Sequence, residues 1–83
     1  MRNATVYCAA PTSRVLPLIG DPADYIEVED DNDGIEPYQS LIEIIEPTLD
    51  AAARRAEAVA AAVSAAGIDV AIRLDDDAVP YVA

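Results

Sequence analysis

Pro37-Tyr38-Gln39-Ser40-Leu41-Ile42-Glu43-Ile44-Ile45-Glu46-Pro47 is the stretch on which the fold turns. Leu41, Ile44, Ile45 and Leu49 fall at i, i+3, i+4 and i+8, the spacing of a helix stripe. Ser40 followed by Glu43 matches a capping box, in which each side chain satisfies a backbone donor at a helix start. The helical reading is preferred on these grounds. The competing reading is a strand through Leu41-Ile42-Glu43-Ile44-Ile45. Pro47 then either kinks a long helix or opens the first turn of a second one.

Downstream the helix signal is strong. From Thr48 to Ala66, Leu49, Ala52, Ala56, Val59, Val63 and Ala66 make one stripe in an alanine-dominated segment. Gly67 is placed to cap its end, and Asp50 lies near the positive end of its dipole. Ile68 to Leu74 alternates as a half-buried strand does, with Ile68, Val70, Ile72 and Leu74 inward. Asp75-Asp76-Asp77 ends it, and Val79 to Val82 reads as a short terminal extension.

Upstream, Ala4 to Ala9 is a short run of β-formers. Pro11, Thr12 and Ser13 break it. Val15-Leu16-Pro17-Leu18-Ile19 is apolar, but Pro17 lacks the N–H that a ladder needs, which predicts an edge strand or an extended connection. Tyr25-Ile26-Glu27-Val28-Glu29 alternates, with Ile26 and Val28 on one face and the other three residues opposite. Asp30 to Gly34 then reads as a turn. The expected architecture is a single small α+β domain over residues 1–83. A three- to five-stranded sheet is packed by one long helix, kinked or not at Pro47. The helix leaves room for the last strand to lie parallel to an earlier one by a right-handed crossover.

Charge bounds the function. The chain has 16 acidic and 5 basic residues, a net charge of −11, and no Lys, His, Phe or Trp. Between Asp21 and Glu46 there are ten carboxylates and no cation. Such a balance excludes binding to nucleic acid by phosphate neutralisation and adsorption to anionic membranes. The fitting partners are basic: Lys/Arg grooves on proteins, or metal cations. The chain is not of disordered composition, because its apolar fraction is 53%.

No catalytic motif is legible. Without His there is no Ser–His or Cys–His pair, and the three Gly are scattered rather than gathered in a phosphate loop. No enzymatic activity and no cofactor are expected. Cys8 on a strand reads as a small buried hydrophobe. Glu29-x-Asp31-x-Asp33-Gly34 echoes a calcium loop, but it starts on Glu, has Ser40 at the twelfth position and follows a strand, so no metal site is expected. A single Cys and a charged N-terminus without an apolar core point to the cytoplasm.

The acidic block is either a solvated face or a surface built to enter a basic groove. Carboxylates on one strand face recur about every 6.7 Å, and a duplex carries one phosphate per about 3.4 Å of rise along each strand, so a carboxylate row is a crude imitation of a phosphate rail. The residues expected to bind are Tyr25, Glu27, Glu29, Asp30, Asp31, Asp33, Glu36 and Tyr38, the tyrosines acting as apolar anchors.

In size, charge and lack of catalytic motifs, the chain resembles the small acidic inhibitors that phages encode against bacterial defence systems, the anti-CRISPR type. The likeness rests on the Asp21–Glu46 block, on Asp75-Asp76-Asp77 and on the missing Lys and His. It implies a basic nucleic-acid-binding protein or complex as partner, such as a CRISPR effector, and inhibition by occlusion as a DNA mimic in the host cytoplasm. From the charge balance, no direct contact with nucleic acid or membrane is expected, and the chain is expected to be a monomer or homodimer. The alternative is a homo-oligomeric accessory module that assembles through a second alanine face, Ala53, Ala60 and Ala61.

Overall fold

The computed structural model describes residues 2–20, 26–30, 37–74 and 81–82. Their elements run β1 (Arg2–Cys8), α1 (Thr12–Ile19), β2 (Ile26–Asp30), β3 (Ser40–Glu46), α2 (Leu49–Ser64), β4 (Val70–Leu74) and β5 (Tyr81–Val82). The strands form one antiparallel sheet in the order β2-β3-β1-β4-β5. Leaving β5 aside, this is the split βαβ arrangement, in which each helix carries the chain past one intervening strand. The α+β class is as the sequence predicts.

The decisive stretch is a strand. Along β3, Ser40, Ile42 and Ile44 are buried while Leu41, Glu43 and Ile45 are half-buried. A helix through the same residues would bring Leu41, Ile44 and Ile45 together and leave Ile42 outside. The β-branched isoleucines instead stand in register beside β1, Val6 opposite Ile42 and Ala4 opposite Ile44. Ser40 caps no helix; its hydroxyl donates to the Ala10 carbonyl at 2.7 Å inside the core. Pro47 lies between β3 and α2 and kinks nothing. Thr48 is the cap, its Oγ1 accepting from the Ala51 N–H at 3.1 Å.

The described residues form two helices rather than one. Val15 to Ile19, expected to be extended, belongs to α1, where Val15 is buried and Leu18 and Ile19 pack against the core. These three lie at i, i+3 and i+4, so the tertiary contact overrides the penalty of Pro17. The proline removes one hydrogen bond, the one an N–H at position 17 would give to the Ser13 carbonyl, on an exposed side of a two-turn helix. Gly20 closes α1 with φ of 71°, and Gly67 follows α2 with φ of 81°. Both are left-handed conformations in which a Cβ is disfavoured. The crossover through α2 does bring β4 parallel in direction to β3, but β1 lies between them, and β4's neighbours are antiparallel.

The core sits between one face of the sheet and the helices. The sheet supplies the bulk, Val6, Ile42, Ile44, Val70 and Ile72, and α2 supplies small residues, Ala52, Ala56, Val59, Ala60 and Val63. Large side chains on one layer thereby meet small ones on the other. Ala60 is 1% exposed, so the second alanine face of Ala53, Ala60 and Ala61 does not exist as a surface stripe. Cys8 lies in this core, where burial raises its thiol from an ordinary 9.0 to about 11 although the Ser40 side chain pulls it the other way. It is inert as a nucleophile.

Candidate acidic interface

Strand alternation sorts the acidic residues by face. Val28 packs on the core, so Glu27 and Glu29 of β2 point to the face on which neither described helix lies. The register continues each of them across that face. Glu27 stands opposite Glu43 on β3, which stands opposite Thr5 on β1, which stands opposite Arg73 on β4. Glu29 begins the next row, Leu41, Tyr7 and Ala71.

The Glu27–Glu43 pair is unfavourable in the isolated fold. Directly opposed side chains of like charge repel across a ladder. Glu43 is partly satisfied by Asn3, whose Nδ2 donates to Oε1 at 3.2 Å; Glu27 and Glu29 are exposed. Among the described residues no ion pair joins an arginine to Glu27 or Glu29. Arg54 pairs with Asp50 one turn away on α2 at 2.7 Å, and Arg55 lies 3.9 Å from Glu46. Arg73 lies over the Tyr7 ring, 5.7 Å from its centroid. It stands three strands from Glu27 in the same row, about 14 Å at the backbone. That exceeds the screening length of about 8 Å at physiological salt.

Asp30 is not part of this face. It lies on the helix side of β2 and accepts from the Thr12 Oγ1 at 3.1 Å, tying the strand to the start of α1. Tyr38 does reach the helix-free face. It is half-buried, with its ring tilted 50° against Tyr7 at 6.0 Å between centroids. Tyr25, Asp31, Asp33, Glu36 and the turn expected at Asp30–Gly34 fall wholly or partly outside the described residues, as do most of the calcium-like spacing and Asp75-Asp76-Asp77. Of the predicted set, the structure therefore brings together Glu27 and Glu29, with Tyr38 on the same face, and sets Asp30 apart. Sequence reasoning missed Glu43, because the helical reading of residues 37–46 removed it from the sheet; Ile42-Glu43-Ile44 was the signal for it.

Other chemistry is sparse. Among the described residues no three His, Cys, Asp or Glu side chains gather as metal ligands. No described helix is long and apolar enough to cross a membrane. A shallow groove of about 180 Å³ lies between the helices, lined by Leu18, Ile19, Arg55, Ala58, Val59 and Ala62. No protein-family model, curated protein or solved structure matches the chain. The split βαβ topology hosts many unrelated functions and assigns none by itself.

Proposed function

We propose that this chain is a non-enzymatic inhibitor or interaction protein whose acidic face enters the basic nucleic-acid-binding groove of a partner, with a CRISPR effector complex as the leading candidate. The observation that carries the reading is the carboxylate trio Glu27, Glu29 and Glu43, set on adjacent strands with no arginine paired to Glu27 or Glu29. A fold gains nothing from two glutamates held opposite each other, whereas a cationic partner gains from both. Glu27 and Glu29 repeat at about 6.7 Å, about two steps of the 3.4 Å axial rise per phosphate on one strand of a duplex. Tyr38 at the edge of the same face supplies an apolar anchor. The net charge of −11 adds long-range steering towards a basic channel.

The test is displacement of a labelled target duplex from a panel of purified CRISPR effector complexes, followed by fluorescence polarisation at 50–500 mM salt. The expected result is displacement from at least one complex. It should weaken steeply with salt and be lost in the Glu27→Lys/Glu29→Lys double variant. Displacement that survives both charge reversals defeats the electrostatic reading, and a panel that shows none defeats the choice of partner.

A further inference from the structure

β2 is the terminal strand of the sheet, and no described strand pairs with its outer side. Which of its backbone groups face outward follows from the ladder. The Ala9 N–H donates to the Asp69 carbonyl at 2.9 Å, in line with the β1–β4 register. Hydrogen-bonding direction alternates along a strand. Odd-numbered residues of β1 therefore bond to β4 and even-numbered ones to β3. By the same alternation Leu41, Glu43 and Ile45 bond to β2, so Glu27 and Glu29 spend their backbone groups on β3. Ile26, Val28 and Asp30 direct their N–H and C=O groups away from the sheet.

We infer that this edge receives an extended, cation-bearing polypeptide segment as an added strand, its Lys or Arg side chains opposite Glu27 and Glu29. Because those two glutamates bond inward, the incoming residues facing them occupy non-hydrogen-bonded positions. There Cα atoms approach to about 4.5 Å and side chains are closest. Charge complementarity selects the occupant. A second copy of β2 added antiparallel would set Glu27 and Glu29 against their own counterparts, which repel. An alternating cationic strand pairs with both and satisfies the outward amides of Val28 and Asp30. The inference rests on the proposed acidic interface and adds to it the backbone geometry of the partner.

The probe is the peptide (Thr-Lys)4, measured against the full chain prepared by chemical synthesis, with and without N-methylation of Val28. The methyl group removes one outward N–H and leaves the β2–β3 ladder and the valine side chain in place. The expected result is calorimetric binding that falls about tenfold on N-methylation, with an unchanged melting temperature. Hydrogen exchange at Val28 and Asp30 should slow at least tenfold in the unmodified complex. Salt-sensitive binding that needs Glu27 and Glu29 but ignores N-methylation, with unaltered exchange, overturns strand addition and leaves the acidic interface standing. Binding that persists in Glu27→Gln/Glu29→Gln overturns the interface itself. Absence of binding at millimolar peptide in 20 mM salt overturns both.

Discussion

Reversing Glu27 turns a repulsive cross-strand pair into an attractive one. Glu27 and Glu43 are directly opposed, with side chains beginning about 5 Å apart. At 6 Å between charges, Coulomb's law gives about 0.7 kcal/mol in bulk water, and both groups reach solvent well enough for that limit to apply. Glu27→Gln removes the repulsion and should stabilise the fold by roughly 0.5 kcal/mol. Glu27→Lys exchanges it for attraction and should give about 1 kcal/mol. For a domain of this size, 1 kcal/mol raises the thermal midpoint by about 4–8 °C. Circular-dichroism melts at pH 7 in 20 mM and 1 M NaCl measure the series, and the gain should shrink at high salt. Glu57→Lys on the exposed side of α2 changes the net charge by the same two units, from −11 to −9, and places the new cation one turn from Arg54. It should not reproduce the gain. If Glu27→Lys melts no higher than the parent at low salt, or if Glu57→Lys matches it, the local like-charge argument is refuted.

The buried thiol and the helix proline give two further expectations. Cys8 has a folded pKa of about 11 against an ordinary 9.0, so the folded state holds this proton more tightly. Its contribution is fully present below pH 9 and is lost as pH rises from 9 to 11, by roughly 2–3 kcal/mol at full titration. Urea melts of the parent and Cys8→Ala across pH 8–11 should show the parent alone losing this increment, and Ellman's reagent should label Cys8 only on unfolding. Pro17→Ala restores an N–H donor to the Ser13 carbonyl in α1 and should stabilise by about 2 kcal/mol. The interior-proline penalty of about 3 kcal/mol is offset in part by the freer unfolded chain. An unchanged or lower urea midpoint would show that α1 is held by packing alone.

Much of this fold was readable from local pattern. β1, β2 and β4 announce themselves by alternation or β-formers, and α2 by its stripe and Gly67. The two misread segments share a cause. In each, a local signal competed with a contact the sequence does not display. Leu41, Ile44 and Ile45 have helical spacing by coincidence, and what settles the strand is β1 lying alongside Ile42 and Ile44. Pro17 argues against a helix until Val15, Leu18 and Ile19 find α2 and the sheet to pack on. The candidate site divides in the same way. Alternation alone placed Glu27 and Glu29 on one face. That β2 is terminal, that Glu43 stands across from Glu27, and that Asp30 turns towards Thr12 all depend on strand order and tertiary contact.

The central position of β1 has a consequence for how the chain acquires its structure. Its residues meet β3 in pairs such as Arg2 with Glu46, and β4 in pairs such as Ala4 with Leu74. β1, made before the other strands of this sheet, therefore waits for β4 before both its flanks are covered. Of the described strand pairings, only those across β2–β3 and β4–β5 link strands consecutive in sequence. Loop-closure entropy must be overcome before the middle of the sheet returns any free energy, which places folding in the slower, milliseconds-to-seconds range expected of non-local topologies. A nascent chain stalled short of Val70 leaves the hydrogen-bonding groups of β1 bare on one flank, and that intermediate is the species a chaperone would engage.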